Sequence, residues 1–281
     1  MEIRALRVGV VGPHGPLLKP TSLRVPPGEL VLVAGPPGAG HTALGLVLSG
    51  RLRPSTGTVT PNPVLLRKHV VVVDAPDVNE PEASWSLAVV VGEELAMNGR
   101  RVGRKAVADW LVDRGAGEHI DTRFEYVPAD VRCRLMLELA AGRPDVRALV
   151  LDTPDRYHGD PKGWWQLARK RVRPDLSVVV LCTETSAAVL GVPAARLGED
   201  NTAVGDTAVG DGDDTAVEHA VVWPTEPIAT EPATEPAGTR SMVDSSGSTA
   251  VWSAADSTGR VKSAESTVVL PADSENSEET S

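Results

Sequence analysis

The chain has 281 residues, a formal net charge of −10, and 3% aromatic side chains. The charge is uneven: residues 1–198 carry 25 basic and 21 acidic side chains, and residues 199–281 carry 3 and 17. A near-neutral first part without a concentrated basic stripe speaks against nucleic acid as a partner. No apolar run reaches the roughly 20 residues of a membrane helix, and MEIRALRVGVV has no basic region followed by a long apolar one, so no secretory leader is expected.

In chain order, MEIRALRVGVV, PTSLRV and ELVLVAG read as strands divided by turns at Gly12-Pro13, Gly15-Pro16 and Pro26-Pro27-Gly28. Apolar residues at Ala43, Leu44, Val47, Leu48 and Leu52 then follow helical spacing. Arg53-Pro54-Ser55-Thr56-Gly57 stops that helix, and Thr58-Val59 begins another extended piece. HVVVVDAP (69–76), RALVLDTP (147–154) and LSVVVLCT (176–183) are unbroken apolar runs, as expected of strands buried on both faces. Residues 82–114 and 129–141 read as largely helical. Strands alternating with helices in this way predict an α/β fold with a largely parallel sheet over residues 1–198.

The composition changes near Glu199. Thr-Ala-Val recurs at 202–204, 207–209 and 215–217, and Thr-Glu-Pro at 225–227 and 234–236. Such a segment buries too little apolar surface to offset a backbone ordering cost of about 1–2 kcal/mol per residue. Residues 199–281 are therefore expected to be a disordered acidic tail. Cys133 and Cys182 lack metal-ligand spacing and sit in apolar stretches, as small core residues do. Trp164 and Trp165 read as core or interface edge. The basic cluster Arg169, Lys170, Arg171 and Arg173 reads as a solvated helix end, with contact to a membrane surface or an anionic partner as the minority reading.

The loop Gly35-Pro36-Pro37-Gly38-Ala39-Gly40-His41-Thr42 fits the phosphate-loop pattern Gly-x-x-x-x-Gly-Lys-Ser/Thr except at the lysine, where His41 stands. Glycines let backbone N–H groups wrap phosphates, and the following helix directs its positive dipole end at them. A hydroxyl at Thr42 is placed to meet Mg²⁺. A turn that binds nothing is the competing reading of the loop alone.

The stretch SLRVPPGELVLVAGPPGAGHTALGLVLSGRLRPSTGTV (22–59) resembles the opening of an ATP-binding-cassette (ABC) ATPase. AAGRPDVRALVLDTPDR (140–156) is similar to that family's Walker B region, and SVVVLCTET stands where the family has its switch histidine. The resemblance covers roughly residues 2–190. It implies a P-loop NTPase-like parallel sheet with an inserted helical subdomain, and use of ATP and Mg²⁺. It also implies a second cassette or a homodimer as partner, a membrane permease subunit, and a cytoplasmic place at the inner face of the membrane.

Carried over residue by residue, most of the family's chemistry is missing. Val8, Gly9, Val10 and Val11 stand where an adenine-stacking aromatic is expected, and His41 replaces the lysine. Asp74 or Ala75 falls at the glutamine. Tyr126-Val127-Pro128-Ala129-Asp130 replaces the Leu-Ser-Gly-Gly-Gln signature. Thr153 occupies the catalytic glutamate position and Glu184 the switch histidine position. What persists is a cradle of Gly35, Gly38, Ala39, Gly40, His41 and Thr42 and a candidate Mg²⁺ pair, Thr42 and Asp152. A lost charge-assisted hydrogen bond costs about 1.5–3 kcal/mol, and a lost general base slows chemistry about 10²- to 10⁴-fold. The resemblance thus implies weak ATP binding with impaired or absent hydrolysis. A pseudo-ATPase scaffold that binds no nucleotide is the alternative. A P-loop enzyme of another family, with Asp74, Asp77 or Glu184 as base, is a third reading.

Overall fold

The computed structural model describes residues 1–100, 103–157 and 160–202, all within the first of two units, Met1–Trp223. The expected acidic tail lies outside the described residues from position 203 onward. Two sheets carry the fold. Strands β1 (Ile3–Gly12), β2 (Gly15–Val25) and β4 (Thr56–Thr60) form an antiparallel sheet in the order β2-β1-β4. Strands β3 (Leu30–Gly35), β5 (Val70–Val73), β6 (Ala148–Asp152), β7 (Ser177–Thr183) and β8 (Ala195–Arg196) form a parallel sheet in the order β5-β6-β7-β3-β8.

The parallel sheet explains why its strands are continuous apolar runs. All four residues of β5 and all five of β6 are buried, because helices and the second sheet cover both faces. On one face lies α1 (His41–Leu48), wedged between the two sheets with Leu44, Val47 and Leu48 buried. Gly45 lets α1 approach closely: a Cβ there would lie 3.3 Å from Val150 and 3.4 Å from Leu181. On the other face lie α3 (Leu87–Met97), α4 (Arg104–Val112), α5 (Ala129–Ala141) and α6 (Pro161–Arg169), whose buried residues form a second core with Leu149, Leu151, Val178 and Val180. The short helices α2 (Pro63–His69) and α7 (Glu184–Leu190) lead into β5 and out of β7.

Several boundaries differ from the sequence reading for local reasons. The helix expected to run to Leu52 ends at Leu48, where Ser49 caps it and Gly50 takes φ +67°. The largely helical stretch expected over 82–114 holds two helices, α3 and α4, and begins at Leu87. The apolar run at 69–76 is split: His69 closes α2, and the strand ends at Val73 because Asp74 takes a left-handed φ of 55°. Helix α2 itself went unread, although Asn62 caps it by accepting a hydrogen bond from Leu65 N, with Pro63 at its first position. No helix among the described residues is long and apolar enough to cross a membrane.

The chain remains tied to the fold past residue 198. Asn201 is buried, and its Nδ2 donates to the carbonyls of Ser22 (2.9 Å), Arg196 (2.9 Å) and Glu199 (3.1 Å), while its Oδ1 accepts from Arg196 N at 2.7 Å. Ser22 N also donates to the Glu199 carbonyl at 3.0 Å. This network latches the segment after β8 to β2. Each bond contributes about 0.5–1.5 kcal/mol net, and an orphaned buried partner costs more. Asn201→Ala is expected to lower unfolding stability by about 2–4 kcal/mol, measured by urea denaturation. A chain ending at Thr202 should keep the parent midpoint, and one ending at Gly198 should lose it.

Candidate functional site

The strand order sets the site. In a parallel sheet the carboxyl ends of the strands share one edge, and ligands bind in the crevice outside it. Gly35 ends β3 opposite Thr183 at the end of β7, and Asp152 ends β6 opposite Leu181 of β7. The turn after β5 places Asp74 at the same edge. There a cleft of about 740 Å³ opens, within the usual range for small-molecule sites. Its walls include Gly38, Gly40, His41, Thr42, Thr153 and Arg156.

The loop from β3 to α1 has the backbone its glycines permit. Gly38 and Gly40 take φ of +79° and +101°, and a Cβ on Gly40 would lie 2.2 Å from the Leu17 carbonyl oxygen of β2. Only glycine fits at position 40. Gly35 and Ala39 support the loop without lining the cleft; Leu197 packs against Gly35.

His41 is turned inward. It is 7% exposed, and its Nε2 lies 2.9 Å from the Cys182 carbonyl oxygen of β7. A carbonyl only accepts, so Nε2 carries a proton and donates. The side chain that replaces the lysine is thus tied to the sheet, though it still forms part of the cleft wall. Thr42 follows on the first turn of α1 and faces the cleft.

Asp152 is 0% exposed, and neither carboxylate oxygen has a hydrogen-bond partner among the described residues. Burial pushes its pKa up, opposed by the Thr42 hydroxyl, by His41 and the Arg156 guanidinium nearby, and by the Thr153 hydroxyl. Both hydroxyls are near enough to affect the carboxyl, yet neither gives it a hydrogen bond of ordinary geometry. A buried carboxylate beside a hydroxyl, with both oxygens unsatisfied, suits Mg²⁺, which takes one or two carboxylates and completes its shell with water and phosphate oxygens. The donor types fit the ion; Thr42 lines the cleft, and Asp152 lies beneath its wall.

Thr153 follows Asp152 on the cleft wall with φ +42°, an uncommon conformation for a β-branched residue. Its N–H donates to the Leu181 carbonyl at 2.9 Å. Its hydroxyl is no base at neutral pH. Glu184 faces elsewhere: it opens α7, pairs with Arg196 at 3.2 Å, and is absent from the cleft wall. Asp77 likewise stays off the cleft wall. The 126–130 segment, an exposed Tyr126 leading to Pro128 at the cap of α5, also stays outside the cleft.

A buried charge cluster went unread in the sequence. Arg156 Nη1 donates to the Asp152 carbonyl at 2.8 Å, and its Nη2 pairs with Asp74 at 3.0 Å. The Tyr157 hydroxyl donates to Glu80 at 2.9 Å. Arg132 lies 3.9 Å over the Tyr157 ring and 4.3 Å from the Phe124 centroid. This cluster braces the turn after β5 against the segment after β6 and puts a guanidinium on the cleft wall. Nearby, Asp155 Oδ2 accepts from Thr183 N, Thr183 Oγ1 and Ser186 Oγ at 2.6–2.8 Å and fixes the start of α7. The sign available in sequence was the pair of charged residues just after Asp152; their partners are distant in the chain.

No protein-family model matches the chain. Among curated proteins it is 33% identical over 153 residues to the zinc import ATP-binding protein ZnuC of Pseudomonas syringae pv. syringae, across 54% of this chain and 55% of that protein. It is 31% identical over 150 residues to an ABC transporter ATP-binding/permease protein of Mycobacterium tuberculosis, across 49% of this chain and 17% of that protein. The chain thus spans about half the length of the zinc import relatives it matches. A solved nucleotide-free ATP-binding cassette from an ABC transporter is similar at 14% identity and a TM-score of 0.49, over 70% of this chain and 90% of that one.

The cluster yields a pH prediction. Burial pushes the Asp74 carboxyl up to about 6, against Arg156 and Arg132, with Glu80 reinforcing the rise. A carboxyl raised in the fold stabilises it while protonated; that contribution is complete below its ordinary value and is lost as pH rises through about 6. Asp74→Asn should therefore gain stability relative to the parent as pH is raised from about 4 to above 6, by on the order of 1–3 kcal/mol. Paired chemical denaturation curves at each pH measure it.

Proposed function

We propose that this chain, an ABC-type ATPase domain, binds Mg-ATP weakly through its backbone cradle, turns it over slowly or not at all, and works as the ATP-binding partner of a second cassette or a membrane permease. The observation that carries the reading is the kept pair at the carboxyl edge of the sheet: Thr42 in the cleft and Asp152 buried with both oxygens unpartnered. Glycine loop backbone and the α1 N-terminus would meet the phosphates, and Thr42 and Asp152 would hold Mg²⁺. The ion would screen phosphate charge. The relatives are named as ATP-binding proteins, one of them a zinc import protein, which supports ATP as ligand and a permease as partner. On this reading the chain sits in the cytoplasm, at the membrane through that permease.

Weak turnover follows from the residues at the cleft. Thr153 offers no carboxylate to orient or deprotonate a water, Glu184 is engaged with Arg196, and Asp155, the cleft-wall carboxylate among the described residues, has its Oδ2 committed to Thr183 and Ser186. Loss of a positioned base lowers rate by about 10²- to 10⁴-fold. The His41 tether to the Cys182 carbonyl turns that side chain's donor away from the phosphates unless the bond is exchanged. The same tether favours a second reading, a scaffold that binds no nucleotide.

Calorimetric titration of Mg-ATP into the chain distinguishes them. We expect binding with a dissociation constant between micromolar and low millimolar, tightened about tenfold or more by His41→Lys, since a charge-assisted bond contributes about 1.5–3 kcal/mol. Absence of heat in both folded proteins would establish the scaffold reading.

A further inference from the structure

Away from the cleft, the region where the ends of α3, α4 and α5 meet the approach to β7 holds a cavity of about 430 Å³ walled by Arg100, Arg114, Arg171 and Arg173, with Glu138 and Trp110. It shares no wall residue with the cleft at the phosphate loop. Among the described residues, Glu138 is the one carboxylate on its wall. It accepts from Arg114 Nε at 2.6 Å and from Arg171 Nη2 at 3.2 Å, which fixes both guanidinium groups. Arg114 also stacks on Trp110, 3.9 Å from the ring centroid. Arg173 lies 3.6 Å from Asp175, which is shared with Arg147. No side chain among the described residues accepts from Arg100.

Even with Asp175 included, four guanidinium groups face two carboxylates. Like charges this close repel unless a counter-charge enters. Arginine forks match phosphate geometry and keep several N–H donors free after one pairing. The groups that pair Arg114 and Arg171 hold them in place, so an incoming anion meets donors already ordered. Arg114 and Arg171 are about a quarter exposed and Arg100 and Arg173 more so, so the charge lines a depression with a half-buried base, a shape that accepts a small ligand.

We propose that this cavity is a second anion site, for a small ligand bearing a diphosphate or two phosphate groups. Arg114 and Arg171 form its fixed floor, and Arg100 and Arg173 close over the ligand from the rim. The basic cluster at 169–173 then serves recognition and is more than a solvated helix end.

The test uses inorganic pyrophosphate in magnesium-free buffer, titrated calorimetrically into three proteins: the parent, Arg100→Glu/Arg173→Glu, and Gly38→Asp. The first variant reverses the rim charges without touching the bonds to Glu138. The second places a carboxylate in the phosphate loop; a Cβ there meets no atom within 4 Å, the strain of a side chain at φ +79° falls on the loop, and circular dichroism checks that the variant folds. We expect the parent to bind at 50 mM salt, Gly38→Asp to retain a site of the same affinity, and the double variant to bind at least tenfold more weakly. The inference is overturned if the folded parent binds no pyrophosphate, or if binding is lost in Gly38→Asp and kept in the double variant. It is also overturned if pyrophosphate binds neither site while anionic phosphatidylserine vesicles capture the parent and release the double variant.

Discussion

The fold organises its carboxyl edge around one costly group, the Asp152 carboxylate. It ends a fully buried strand, is sealed from solvent, and leaves both oxygens without partners. Burying an unpaired ionised carboxylate is expensive, and a chain commonly answers by raising its pKa, as here. Had the strand end served packing alone, an apolar residue would be more stable. Persistence of the acid beside Thr42, next to a glycine loop whose backbone admits no other residue at position 40, fits a site whose cation arrives with its ligand.

Around that residue the bonding points into the fold. His41 donates to the sheet, Glu184 pairs with Arg196, and Arg156 spans from the Asp152 carbonyl to Asp74. Each of these contacts links two segments bordering the cleft. The result is a site whose loops are braced by internal charge pairs. Such bracing lowers the ordering cost of binding, and it also commits Oδ2 of Asp155, the carboxylate on the cleft wall among the described residues, to Thr183 and Ser186.

Much of the architecture was legible in the sequence because its signals are local. Unbroken valine-rich runs gave β5, β6 and β7, and the helix over 129–141 matched α5 at both ends. The loop after β3 was legible because its glycines must sit at fixed spacing. The errors have physical causes. Within the largely helical 82–114 stretch, apolar residues are too sparse between Met97 and Arg104 for periodicity to place the end of α3 and the start of α4. The valine run was extended to 76 because nothing in composition marks a left-handed Asp74. Tyr157 and Asp74 are 83 positions apart, and such pairing is set by strand order alone. The inward turn of His41 belongs to the same class, since its acceptor is a backbone carbonyl and carries no residue-type signal.

The central claim is that Asp152 is kept for a cation brought by a nucleotide, at a cost to the empty fold. The most direct measurement is thermal unfolding of the parent and Asp152→Asn, each with and without Mg-ATP at about 100 times the parent dissociation constant. The account predicts a variant at least as stable as the parent when alone. It also predicts a ligand shift near 2.7 kcal/mol in the parent that falls by more than half in the variant and depends on magnesium only in the parent. A variant that is destabilised alone and shifted by Mg-ATP as much as the parent would contradict it, and would make Asp152 a structural strand end.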